Sequence, residues 1–226
     1  MYKCLVSGGC SFAYGFNLKE RDKRYANLIA QHLDVELIDV SAAGMTNEFI
    51  SAAAVFGINK ALQKYSSEEI LVIVGWTTTE RFEYFNNHVG RIVAGYVNAK
   101  HHAYGDKRKG DMERAQFISQ HFWSPAYGYY KLIHSFNYVH SFCRAHNVTV
   151  IHKHNVQHYP ARFPSMKLLH TKVSNSDLLD QCLTLDAKNH FKRMSDERSF
   201  QEFTMKENLI LNPGVDTHPN EKGNIL

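Results

Sequence analysis

Val6-Ser7-Gly8-Gly9-Cys10-Ser11-Phe12-Ala13-Tyr14-Gly15 is the stretch whose reading decides the fold. An apolar run, Cys4-Leu5-Val6, feeds straight into two glycines, a serine and a further glycine. The run is too short for a helix and reads as a first, central strand. Gly8 and Gly9 permit a tight turn with unusual backbone angles at its carboxyl end. In open α/β sheets that edge is where ligands bind. A serine placed there has backbone N–H groups beside its hydroxyl, the setting of a nucleophile next to an oxyanion site. A phosphate-binding or purely structural turn fits the same residues. No Gly-Lys-Ser/Thr follows, so the P-loop pattern is absent, and Phe12-Ala13-Tyr14 supplies no third glycine in register for a dinucleotide fingerprint. What favours the nucleophile lies at the other end of the chain, where Asp216-Thr217-His218-Pro219-Asn220 follows the apolar run Leu209-Ile210-Leu211.

The 226 residues suit one α/β domain, 1–226, rather than two, and 44% hydrophobic content is enough to bury a core. No apolar segment approaches the roughly 20 residues of a membrane span. Val6 runs into Ser-Gly-Gly instead of a long apolar core, so no signal-peptide layout is seen and a cytoplasmic location is expected. Cys4, Cys10, Cys143 and Cys182 are far apart and form no Cys-x-x-Cys, so neither a zinc knuckle nor a disulfide framework is indicated. The net charge of +4 is mild. The basic cluster Lys100-His101-His102 and Lys107-Arg108-Lys109 reads as a solvated loop, with no nucleic-acid module around it.

Taken in order, the pattern after the first strand is a helix over Tyr25–Leu33, a strand over Val35–Val40, and a helix from Glu48 with Phe49, Ile50, Ala53, Ala54, Ile58, Ala61 and Leu62 as its apolar stripe. Glu69–Trp76 is a strand apolar on both faces, as a central parallel strand is. Right-handed crossovers make this alternation a parallel sheet with helices on both sides. A helix over Tyr127–His146, a fourth strand over Val148–Ile151 and a fifth over Leu209–Leu211 complete the framework. Two mixed regions, about 77–125 and about 155–204, are insertions. The first is expected to carry its own helix or hairpin at the strand's carboxyl end, and the second a short helix after Ser176 with Leu178, Leu179, Cys182 and Leu183. A final helix is expected to begin near Gly223-Asn224-Ile225-Leu226.

In such a sheet the turns after successive strands, Gly9-Cys10-Ser11, Gly44-Met45-Thr46-Asn47 and Gly75-Trp76-Thr77, lie along one edge, with the Asp216–His218 loop as a fourth. Ser11 is then the candidate nucleophile, His218 its base and a carboxylate the group that holds the imidazole. The Ser11 and Gly44 N–H groups, with the Asn47 or Thr77 side chain, are the candidate oxyanion donors.

These blocks resemble the SGNH/GDSL hydrolase superfamily, and most of all its bacterial and phage-type SGNH-like proteins. Gly-Gly-Cys-Ser-Phe-Ala-Tyr-Gly is similar to its first block, with the nucleophile at Ser11. Ala43-Gly44-Met45-Thr46-Asn47 is similar to the second, with the oxyanion glycine at Gly44. Asp216-Thr217-His218-Pro219 with Gly223 is similar to the last, with the histidine at His218. The resemblance covers about half the chain, the sheet framework. It implies a three-layer α/β/α sandwich with a five-stranded parallel sheet (the flavodoxin-like SGNH hydrolase fold), an esterase acting on a small-molecule or carbohydrate ester, and no cofactor. In the third block the family carries Gly-x-Asn where this chain has Gly75-Trp76-Thr77. In the last block the aspartate stands three residues before the histidine, whereas Asp216 stands two before and Val215 holds the usual place. The asparagine donor is then replaced by Thr77 or Asn47 or is missing, and either Asp216 completes a triad or a Ser–His dyad operates. An acyltransferase using the same groups, and an inactive SGNH-fold binding protein, are the alternatives.

Other residues carry two readings. Cys10 is an alternative nucleophile. Trp76 and Arg81 line a substrate pocket, or Trp76 packs under the insertion and Arg81 pairs with Glu83 or Asp216. His152, His154 and His158 read as a polar pocket wall rather than a metal site, since no third ligand is fixed. Tyr127, Tyr129 and Tyr130 belong to the core or the insertion, or form a sugar-stacking platform.

Overall fold

The structure is a computed structural model that describes residues 1–86, 91–96, 113, 117–118, 120–155, 186–187, 189–190, 210–212 and 216–219. The expectations placed on the basic cluster at 100–109, on His158, on the helix after Ser176 and on the terminal helix at 223–226 lie outside these residues.

β1 (Cys4–Gly9) is buried along its whole length and occupies the middle of a four-stranded parallel sheet. It pairs on one side with β2 (Glu36–Asp39), Cys4 opposite Glu36, and on the other with β3 (Ile70–Trp76), from Cys4 opposite Ile70 to Gly9 opposite Gly75. Outside β3 lies β6 (Thr149–His154), with Trp76 opposite His154. The strand order β2-β1-β3-β6 is open, parallel and in register at its carboxyl edge. β3 is buried at all seven positions because helices cover both faces.

One face carries α2 (Tyr25–Leu33), whose Ala30 packs with Leu5, Leu71 and Ile73. The other carries α3 (Asn47–Leu62) and α4 (Pro125–Ala145), with Ile50, Ala54, Ile58, Leu132, Phe136 and Val139 closing on Val6, Val72 and Val74. Both helices begin on side-chain caps that satisfy free backbone N–H groups. Thr46 Oγ1 accepts from the Phe49 N–H at 3.2 Å, and Ser124 Oγ accepts from the Tyr127 N–H at 3.1 Å. The layers are therefore α/β/α, as expected.

Three expectations are corrected. Gly8 and Gly9 form no strained turn: both lie within β1, and the described glycines with positive φ are Gly15 and Gly44. Gly9 is needed for close approach instead, since a Cβ there would stand 2.6 Å from Ala13 Cβ. Second, the described sheet has four parallel strands, not five. β7 (Ile210–Asn212) pairs antiparallel with β8 (Asp216–Pro219) in a separate two-stranded ribbon. Three apolar residues running into Asn212-Pro213-Gly214 make a hairpin arm, because that tripeptide favours chain reversal. Third, Asp216 and His218 belong to a strand, not a loop. Within the 77–125 insertion, β4 (Arg81–Asn86) and β5 (Arg91–Tyr96) form an antiparallel hairpin.

Phe136 is the aromatic side chain on which the α4 layer closes: it is fully buried and meets Trp76 and His152 with ring centroids 6.3 and 4.2 Å away. Phe136→Ala is expected to cost about 3–5 kcal/mol in urea unfolding. Phe56→Ala, on a side chain 67% exposed on α3, is expected to change stability by no more than about 0.5 kcal/mol.

Candidate active site

The carboxyl edge of the sheet is a set of short loops tied to one another by side-chain hydrogen bonds. Ser11 opens α1 (Ser11–Tyr14), a single turn that follows β1 directly with Cys10 at its N-cap. The turn is closed by the Tyr14 N–H on Cys10 O at 3.0 Å and the Phe16 N–H on Ser11 O at 2.9 Å. Ser11 is 5% exposed. Cys10 is fully buried and packs into the core on the α3–α4 side, away from the nucleophile's role weighed for it.

The β2–α3 loop continues the β1 ladder. The Val40 N–H donates to Ser7 O at 2.9 Å and the Ala42 N–H to Gly9 O at 3.1 Å. Asp39 accepts from the Ser41 hydroxyl at 2.6 Å and pairs with Arg24 at 2.5 Å, which ties α2 to the end of β2. Gly44 then turns with φ +80°, a left-handed value that a side chain would oppose, and it is exposed with nothing within 4 Å of where a Cβ would stand.

Thr46 and Asn47 bind the next loop. Asn47 closes a two-point bridge to Thr77: its Oδ1 accepts the Thr77 N–H at 2.9 Å, and its Nδ2 donates to Thr77 O at 3.2 Å. One Asn47 N–H is thereby committed to the backbone. Thr46 Oγ1 donates to Glu83 Oε2 at 2.9 Å, placing a carboxylate of β4 at the N-terminus of α3, where the helix dipole favours it. Arg81 Nη1 donates to Met45 O at 2.8 Å. Thr77 itself is fully buried, and its Oγ1 has no hydrogen-bond partner among the described residues.

Trp76 does not face this edge. It is fully buried in the α3–α4 core, its Nε1–H donates to His152 Nδ1 at 3.2 Å, and its ring stacks on the imidazole at 5.9 Å and 17°. Alternation along β3 explains the correction: Trp76 shares its face with Val74 and Val72, while Thr77 leaves the strand. His152 is likewise a core residue instead of a pocket wall. Burial and the neighbouring His140 and His190 hold its pKa well below the ordinary histidine value. Tyr129 packs against the core, while Tyr127 and Tyr130 are exposed. Among the described residues no group of three His, Cys, Asp or Glu is placed to hold a metal ion.

β8 brings the two ends of the chain together. Residues of α1 and β8 approach within 8 Å between Cα atoms, so the backbone carrying Ser11 neighbours the backbone carrying His218. Asp216 and His218 stand two residues apart on β8, whose register shifts between the Asn212–Asp216 and Ile210–Pro219 pairs, one extra residue of β8 lying between them. Sequence reading did not single out Asn155, which follows β6 at the same edge with its side chain 2% exposed. Its position immediately after a parallel strand was the available signal.

No protein-family model matches the chain, and no curated protein matches it. Solved structures that it resembles include the psychrotrophic esterase EstA from Pseudoalteromonas sp. (12% identity over 98% of this chain and 90% of that one, TM-score 0.49). TesA and a member of the lipolytic protein G-D-S-L family from Veillonella parvula are each 12% identical over 98% of this chain and 92% of theirs, also with TM-score 0.49. Similarity at this level assigns no activity, and the site geometry stands by itself.

The buried neutral His152 gives a pH signature. The unfolded chain takes up a proton at this imidazole below about pH 6.5 and the folded chain does not, so stability falls as pH falls through that range. The urea midpoint is expected to be lower at about pH 5 than at about pH 8. The difference should shrink in His152→Gln; an unchanged difference would show that the imidazole is not the group responsible.

Proposed function

We propose that the chain is a serine ester hydrolase with Ser11 as nucleophile and His218 as general base. The observation that carries this reading is the approach of α1 to β8 across the sheet edge. Ser11 Oγ attacks the ester carbonyl carbon while His218 takes its proton. The carbonyl π pair moves onto oxygen, and the tetrahedral adduct collapses as His218 returns the proton to the leaving alcohol. Water then attacks the acyl-serine through the same base, releasing the acid and restoring Ser11. Asp216, two residues before His218 on β8, is the group proposed to orient the imidazole. The Ser11 and Gly44 N–H groups are the proposed oxyanion donors, joined by Thr77 Oγ1. The committed Asn47 amide supports a supporting role for that residue, holding Thr77 in place. The proposed substrate is a small acyl ester of a carbohydrate or similar alcohol, and an acyltransferase differs only in which hydroxyl resolves the acyl-serine.

Ser11→Ala is expected to abolish hydrolysis of p-nitrophenyl acetate and labelling by a fluorophosphonate, with the circular dichroism spectrum retained. His218→Gln is expected to lower turnover by about 10⁶-fold. A folded wild-type protein that neither hydrolyses short esters nor takes the label would overturn the reading and leave a binding protein on this fold. Thr77→Val separates chemistry from stability. It replaces a buried, unpartnered hydroxyl by a methyl group of the same shape, so the melting temperature should hold or rise. Turnover should fall about 100-fold through loss of an oxyanion donor. A Thr77→Val protein that hydrolyses at the wild-type rate removes Thr77 from the oxyanion site.

A further inference from the structure

We propose that Asn155 is a positioning residue for Ser11, acting from the strand two places away in the sheet. The inference rests on the hydrolase reading and goes beyond it. The main chain of Asn155 is fixed to the last rung of β3, its N–H donating to Trp76 O at 2.9 Å. From there the side chain folds back over the sheet on the α2 face. A Cβ on Gly75 would fall 2.0 Å from Asn155 Nδ2, 2.5 Å from Cγ and 2.6 Å from Oδ1, so the carboxamide lies flat on the bare glycine. Its Nδ2 end continues to β1 and reaches 3.2 Å from where a Cβ on Gly9 would stand.

Ala13 occupies the same hollow over Gly9 from the α1 side. One carboxamide thus spans β6, β3 and β1 and ends beside the turn that opens with Ser11. On the same face Asn155 and Ser7 both act on the Tyr25 phenol of α2, opposing the rise in its pKa that burial causes. Asn155 is 2% exposed, and polar groups buried to that extent cost folding free energy that apolar packing would not. Their placement beneath the nucleophile's turn, across two glycines that leave room for them, is what a device for setting that turn requires.

The test compares wild type, Asn155→Ala and Tyr25→Phe by melting temperature, p-nitrophenyl acetate kinetics and fluorophosphonate labelling. Misplacing a nucleophile by about 1 Å costs about 100-fold. Asn155→Ala is therefore expected to lower kcat and the Ser11 labelling rate to that extent at a temperature where it is fully folded, with KM within about twofold of wild type. Tyr25→Phe keeps the ring, loses only the hydroxyl, and should fall between the two. Wild-type kcat in folded Asn155→Ala, or a loss confined to KM, overturns the proposal while the hydrolase reading stands. Should Asn155→Ala fail to fold, Tyr25→Phe decides, and wild-type kcat in that variant overturns the proposal. A wild-type protein that neither labels nor hydrolyses overturns the hydrolase reading and this proposal with it.

Discussion

Gly9 and Gly75 stand opposite one another on the β1–β3 ladder, and the lack of a side chain at both is the constraint on which the functional edge depends. Gly8, the other glycine of β1, is under no such constraint, since a Cβ there would stand at ordinary contact, 3.5 Å from Ala54 Cβ. At this last rung the α1 turn, through Ala13, and the Asn155 carboxamide from β6 come down onto the same face. A methyl group at Gly75 would overlap the amide outright, and one at Gly9 would collide with Ala13. Glycine costs roughly 0.5–1 kcal/mol relative to alanine within a strand. Here the cost is offset by close packing where three strands end together.

The loops above that rung are held by hydrogen bonds rather than by apolar burial. Asn47 fixes Thr77, Thr46 holds Glu83, and Arg81 reaches Met45. All three converge on the first turn of α3 and the residues just before it, through the Asn47 amide, the Thr46 hydroxyl and the Met45 carbonyl. The consequence is geometric. Thr77 after β3, and Arg81 and Glu83 of β4, are each bonded to one of residues 45–47, so both segments are tied to one helix end.

Much of this was legible in the chain. The strands around Val6 and Val72, the helices at 25–33, 47–62 and 125–145, and the ordering of turns along one edge all follow from apolar spacing and from where Gly, Ser and Thr interrupt it. What was not legible has physical causes. Leu209-Ile210-Leu211 is too short for composition to distinguish a sheet strand from a hairpin arm, and the neighbouring Pro-Gly decides it. Trp76 closes the central strand and so reads from sequence as a pocket residue, yet its place in the β3 alternation puts it in the core with Val72 and Val74. Asn47 looks like a free amide in sequence, and only coordinates reveal that the Thr77 backbone uses it. Asn155 carries no signal of its own in sequence, because the surface it packs on is made by two glycines distant in the chain.

The last arm carries its own irregularity. Ile210 pairs with Pro219 and Asn212 with Asp216, so β8 holds one residue more than β7 between the two pairs. A bulge of this kind bends the strand that carries it and increases its local twist. The strand period alone therefore does not set the relation between positions 216 and 218; the irregular register of the ribbon enters with it.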